Sequence, residues 1–192
     1  MRIDGLVFSY GENKIFDGLT LDLPDFGITA VTGASGCGKT TLFRIIAGFC
    51  APDGGKIDAP RADEISFLFQ EDRLFPNLTA AEQIRAVLPR RADAERWLSA
   101  VGLSGEGNTR VESLSGGMRR RVALARCMAF GADKKLMLLD EPFTGVDLPT
   151  AKSIIGAFRE MSVPVIFSTH DTEIIKEADT VTDIEEIIRQ RG

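Results

Sequence analysis

A chain of 192 residues with 44% hydrophobic and 27% charged side chains has the composition of an ordinary globular domain, long enough to bury a core without a disulfide or metal staple. Its net charge of −5 argues against a partner held by charge alone, so no nucleic acid is expected. Three cysteines in no ligand spacing and a single histidine rule against a zinc site, and the start Met1-Arg2-Ile3-Asp4 lacks the apolar core of a signal peptide.

Residues 3–10 and 19–23 read as strands, with a turn around Gly11-Glu12-Asn13. Ile28–Thr32 is a β-branched run that stops at Gly33. A glycine-rich turn follows, and Lys39 to Ala47 has helical spacing in Leu42, Phe43, Ile45 and Ile46, ended by Gly48. Asp53-Gly54-Gly55 reads as a turn, and Glu64 to Phe69 as a buried strand. From about 72 to 113 the texture changes to short helices, Thr79 to Val87 and Asp93 to Val101, separated by Leu88-Pro89-Arg90. Leu114 to Phe130 contains a long helix whose run Arg119, Arg120, Arg121 and Arg126 reads as a solvated, capping face. Lys135 to Asp140 is an apolar strand, Pro149 to Glu160 a helix with proline in its first turn, Pro164 to Ser168 a strand, and Glu173 to Ala178 starts another helix. Strands alternating with helices predict an α/β fold, a mostly parallel sheet covered on both faces. A single domain over 1–192 is expected, with its body in 1–71 and 131–192 and an inserted helical lobe over 72–130. The longest apolar runs are too short to span a bilayer, so any membrane work requires another polypeptide.

Gly33-Ala34-Ser35-Gly36-Cys37-Gly38-Lys39-Thr40 fits G-x-x-x-x-G-K-[ST] between a strand and a helix. Glycines let backbone N–H groups turn toward phosphate oxygens, the helix start adds its positive end, Lys39 reaches the outer phosphates and Thr40 can ligate Mg²⁺. Thr41 completes the expected nucleotide-binding set. Leu136-Met137-Leu138-Leu139 delivers Asp140 and Glu141 to the end of a buried strand. Asp140 suits Mg²⁺, and Glu141 suits polarising an attacking water. Together these predict a P-loop ATPase or GTPase. Ser115-Gly116-Gly117 opens a further helix. It reads either as a plain serine cap with flexible glycines or as a second phosphate cradle, and the second reading implies two copies closing each other's sites.

The stretch Leu114-Ser-Gly-Gly-Met-Arg-Arg-Arg-Val-Ala-Leu-Ala-Arg126 closely resembles the signature of ATP-binding-cassette proteins, with Met118 where glutamine is usual. The resemblance covers roughly residues 3–180. It implies a P-loop NTPase fold with an N-terminal antiparallel β subdomain and a head-to-tail dimer sandwiching two ATP molecules. It further implies that Tyr10 stacks on adenine, that Gln70 touches Mg²⁺ and relays to a membrane partner, that Asp147 lies on a loop crossing the dimer interface, and that His170 contacts the γ-phosphate. The run from Gln70 to Thr79 resembles bacterial importers of the nitrate, sulfonate and taurine group. That implies transmembrane permease subunits, a solute-binding protein, and a place on the cytoplasmic face of the membrane. Apolar Leu74, Phe75 and Leu78 around Pro76 either receive a permease helix or pack inside the lobe. The end soon after Asp179 is expected of a minimal motor without a regulatory domain. The competing reading is a soluble cassette ATPase not tied to transport; the interval from Gly33 to Leu114 leaves no space for the coiled coil of chromosome-type members.

Overall fold

The computed structural model of the chain describes residues 1–88 and 93–189, so the expected break at Leu88-Pro89-Arg90 lies, from Pro89 on, outside the described residues. Among the described residues eight strands fall into two sheets. The first is antiparallel, in the order β2-β1-β4, from β1 (Arg2–Tyr10), β2 (Asn13–Asp22) and β4 (Gly54–Asp58). The second holds β3 (Ile28–Thr32), β5 (Ile65–Leu68), β6 (Leu136–Leu139), β7 (Val165–Ser168) and β8 (Thr180–Asp183). These are parallel throughout, in the order β5-β6-β7-β3-β8. Four connected helices frame this sheet: α1 (Lys39–Ile46), α4 (Gly116–Gly131), α5 (Leu148–Arg159) and the short α6 (Thr172–Ile175). α2 (Ala80–Arg85) and α3 (Ala94–Ala100) pack on α4 as a separate helical group, and α7 (Ile184–Arg189) packs against β2 and β3.

Residue alternation along the parallel strands divides the core into two layers. Met137, Leu139, Val165 and Phe167 face the layer built with α4, α5 and the α2–α3 group. Leu136, Leu138, Ile166 and Val31 face the other, with α1 and the inner side of the antiparallel sheet through Phe16, Leu19 and Leu21. β3, β6 and β7 are buried along their whole length; β6 is accordingly all apolar, β7 apolar up to Ser168, and β3 a β-branched run whose Thr29 and Thr32 are buried too.

Three expectations need correction. β2 starts at Asn13, so the turn is only Gly11-Glu12; Ile15 and Phe16 already point inward among polar neighbours that mask the alternation. Gly54 and Gly55 belong to β4 rather than to a turn: Gly54 pairs with Val7 of β1, and Gly55, at φ 90°, sits at an irregularity of that pairing where a Cβ would stand 2.4 Å from the Gly5 carbonyl oxygen. β8 and α7 follow the last helix. β8 is a half-exposed edge strand of four residues, too short and too polar to show a period.

Cys127 is buried on α4 beside Ser66, whose hydroxyl donates 2.9 Å to the Cys127 carbonyl and lies 3.2 Å from its sulfur. Burial pushes the Cys127 thiol up to about 11, against the smaller opposing effect of the Ser66 contact. Cys37 and Cys50 are half-buried. A thiol reagent at neutral pH should therefore label Cys37 and Cys50 in the folded chain and Cys127 only after denaturation, as mass spectrometry of labelled peptides will read. Labelling of native Cys127 at the rate of the other two would contradict this packing.

Candidate active site

The loop between β3 and α1 turns at glycines with positive φ, ending at Gly38 with φ 104° as the residue that caps α1. Gly38 is also pressed from below: a Cβ there would come within 2.8 Å of the buried Phe16 ring. A side chain would lift the loop off the antiparallel sheet, so glycine is required on both counts. Lys39 is 9% exposed, and its Nζ donates to the loop's own carbonyls, 2.8 Å to Gly33 and 3.0 Å to Ala34. It also lies 3.9 Å from Cys37 Sγ. The Ala34 N–H donates 3.0 Å to Glu185 Oε2, which ties α7 to the loop. The ammonium and the carboxylate thus grip opposite ends of the Gly33–Ala34 peptide group.

At the carboxyl end of β6, Asp140 is 2% exposed and accepts 2.8 Å from Ser168 Oγ on the adjacent β7. Glu141 follows with φ 47°, a left-handed conformation that costs a non-glycine residue about 1–2 kcal/mol. Bonds at both ends of the residue hold it there: its N–H donates 2.9 Å to Ser168 Oγ, and its carbonyl accepts 2.8 Å from Arg120 Nη2. Its Oε1 lies 3.3 Å from Nδ1 of His170, an exposed ring at the end of β7. All of this opens on one cleft of about 640 Å³, lined by Ser35, Gly36, Gly38, Lys39, Thr40 and Thr41 from the loop and α1. Gln70, Asp140, Glu141 and His170 line its other side. Thr40, Gln70 and Asp140 offer a hydroxyl, an amide and a carboxylate oxygen to that common space, an all-oxygen set that fits Mg²⁺ shared with phosphates.

Gly33, Ala34 and Cys37 belong to the same loop but do not line the cleft. Tyr10 stays outside it too, 45% exposed, with its ring edge-on to Phe8 and its hydroxyl 4.0 Å from Cys50 Sγ. Ser115, Gly116 and Gly117 also lie away from the chain's own cleft. Ser115 Oγ accepts 3.2 Å from the Met118 N–H, as an N-cap does. A Cβ at Gly117 would stand 2.5 Å from the Gly145 carbonyl, so this glycine is fixed by contact with the loop after Glu141. Asp147 caps α5, accepting 3.0 Å from the Thr150 N–H, and that bond holds its carboxyl below the usual range. Two cleft residues escaped the sequence reading, Ile15 and Thr144. Neither an isoleucine in a strand nor a threonine in a loop carries a signal that marks it.

The arginine run is not a solvated face. Arg120 is 3% exposed, and its guanidinium donates to carbonyls of both Phe69-Gln70 and Asp140-Glu141-Pro142. Arg119 bonds the Leu114 carbonyl, Arg121 those of Val101 and Gly102, and Arg126 those of Asp72 and Arg73. Nor do these arginines cap their own helix: the recipients are carbonyls of neighbouring loops, not those of α4. Ser168 is the corresponding hub on the sheet side, since one buried hydroxyl serves both Asp140 and the Glu141 N–H. Ser168→Ala should lower the free energy of unfolding by about 1–3 kcal/mol in urea titration, because it orphans both partners. An unchanged midpoint would show that the hydroxyl is not holding them.

Comparisons with known proteins agree with this geometry. The family described as ABC transporter matches residues 16–144, more than half of the chain. The aliphatic sulfonates import ATP-binding protein SsuB 3 of Paraburkholderia xenovorans is 41% identical over 190 residues, covering 95% of this chain and 74% of its own length. Among solved structures, the cassette MJ0796, described as a dimer in a post-hydrolysis state with ADP and Pi, superposes with TM-score 0.80. It is 24% identical, covering 95% of this chain and 93% of that one, and shows the fold. cbiO1 of Clostridium perfringens, part of the transporter complex cbiONQ, is similar at TM-score 0.79 and 25% identity, covering 95% of this chain and 83% of that one. With one family match spanning the glycine-rich loop before α1, the first part of α4 and the Asp140-Glu141 pair, the chain belongs to the ABC transporter family, as one of its ATP-binding subunits.

Proposed function

We propose that the chain binds and hydrolyses ATP in the cleft between the phosphate loop and the ends of β6 and β7, and so powers solute import through a separate permease. The observation that carries this is the convergence of Lys39, Thr40, Gln70, Asp140, Glu141 and His170 on one space. The loop amides and the start of α1 receive the phosphates, and Lys39, steadied by the Gly33 and Ala34 carbonyls, neutralises the outer ones. Thr40, Asp140 and Gln70 would hold Mg²⁺, which supplies charge neutralisation to the phosphoryl group. Glu141 accepts a proton from the attacking water. His170, beside its carboxylate, orients that side chain and faces the γ-phosphate. Tyr10 is assigned to the adenine, approached from the rim.

The site needs a second chain. Ser115-Gly116-Gly117 stands outside its own cleft, so in this reading it closes the cleft of a partner, with Asp147 near the seam. No helix among the described residues is long and apolar enough to cross a membrane, and the permease therefore supplies the span. Phe75 is 62% exposed while Leu74 packs on the core, so the loop after Gln70 presents one large apolar side chain to that permease. Exposed Phe49, stacked with Phe69 under the Arg73 guanidinium, extends the surface. The 41% identical relative supports a small organic sulfonate as the solute class, delivered by a solute-binding protein, with this subunit on the cytoplasmic face.

Glu141→Gln should lower turnover at least about 100-fold while ATP still binds, and should trap an ATP-dependent dimer in gel filtration. Near-normal turnover would remove Glu141 as the base; a monomer with ATP bound would remove the shared site. Lys39→Ala should weaken ATP binding in a fluorescent-nucleotide titration, and unchanged affinity would overturn the role of the loop.

A further inference from the structure

We infer that Arg120 is a positioning residue that couples the loop 69–72 to the loop 140–142, so that displacement of the first is carried to the backbone of Glu141. The guanidinium is a rigid plane, and its donors divide by loop. Nη1 donates to the first: 2.8 Å to Phe69 O, 3.1 Å to Gln70 O and 3.2 Å to Asp72 Oδ1. Nη2 and Nε donate to the second: 2.7 Å to Asp140 O, 2.8 Å to Glu141 O and 3.1 Å to Pro142 O. Among the described residues the only carboxylate paired with it is Asp72, whose side chain is 28% exposed.

This arrangement differs from one that serves packing alone. A buried charge is usually paired with buried carboxylates, whereas Arg120 is compensated mainly by backbone oxygens from two segments far apart in the chain. Those segments are the ones that matter. The first carries Gln70 into the cleft and continues to the exposed Phe75. The second carries Asp140 and the left-handed Glu141. A shift of the first loop must either break three charge-assisted bonds or tilt the plane, and tilting it moves the Glu141 carbonyl that Nη2 holds. A lysine has its donors at a single point and cannot span both loops.

The inference rests on Glu141 as the base, and Asp72 allows the two to be tested apart, since its carboxylate touches Arg120 and does not line the cleft. Asp72→Ala should lower kcat about five-fold with ATP affinity unchanged, and Asp72→Asn, which keeps an acceptor, should recover most of it. Arg120→Lys should lower kcat by about ten-fold or more, again without loss of ATP affinity. The double variant Asp72→Ala/Arg120→Lys should be no slower than Arg120→Lys alone. Wild-type kcat in Asp72→Ala, or losses that multiply in the double variant, would overturn the coupling. So would a loss of ATP affinity in step with kcat. If Arg120→Lys fails to fold, Asp72→Ala against Asp72→Asn decides alone. Glu141→Gln measured beside them separates the two readings: if it turns over normally, the base is wrong; if it is dead while Asp72→Ala is normal, only the coupling is wrong.

Discussion

The central strands of the parallel sheet, β3, β6 and β7, are buried on both faces, and the placement of the site follows from that constraint. A strand covered from above and below has no room for an unpaired charge, so its polar residues collect where it emerges. β6 is four apolar residues followed at once by Asp140 and Glu141, and β7 is three followed by Ser168, with Thr169 and His170 beyond it. Parallel pairing then sets these ends side by side, with Leu139 opposite both Leu68 and Phe167, and Val31 opposite Ser168. Because all strands run the same way, the phosphate loop after β3 and the carboxylates after β6 open on the same edge.

At that edge the buried polar groups are satisfied by one another, which makes the arrangement stiff. No buried side-chain nitrogen or oxygen among the described residues lacks a hydrogen-bond partner. Asp140 is paired by Ser168, Ser168 also serves the Glu141 N–H, and the Glu141 carbonyl is taken by Arg120. In a low-dielectric surrounding each such bond is strong, and each orphaned member is costly. That offsets the strained φ of Glu141 and keeps its carboxylate in one direction. Preorganisation of this kind lets a base act without first reorganising its neighbours.

The phosphate loop, the paired carboxylates and the signature helix were legible because each is a contiguous string of residue types tied to one chemistry. The strands β6 and β7 were legible because full burial leaves an apolar run, and β3 because it is a β-branched one. What escaped was carried by the backbone or by distance along the chain. Arg120 looked like one cation in a solvated run because its partners are mostly carbonyls, which every residue possesses and no sequence displays. Ser168 closed a predicted strand with nothing to show that Asp140 would sit beside it. β4 was hidden by glycines, and β8 by its brevity at the sheet edge. Tyr10 shows the reverse limit, since resemblance assigns it to the adenine while its contacts in the chain are Phe8 and Cys50.

Gly117 and Arg120 lie three residues apart at the start of α4, and each touches the segment that follows β6. Gly117 presses on the Gly145 carbonyl, and Arg120 holds those of Asp140, Glu141 and Pro142. The first turn of α4 and the stretch 140–147 therefore act as one packed unit. One end of that unit presents Ser115, Gly116 and Asp147 outward, and the other end presents Glu141 to the chain's own cleft. In the proposed dimer the surface that receives a partner's nucleotide is thus joined, through the start of one helix, to Glu141, the proposed base for the water that attacks the chain's own nucleotide. The same turn also holds the loop leading to Phe75, so α4 connects the three places where nucleotide, second cassette and permease would each be felt. A helix held at its start by both the loop 69–72 and the stretch 140–147 has little freedom to move for one of them alone, and in the proposed dimer that restriction would tie hydrolysis to the state of its partners.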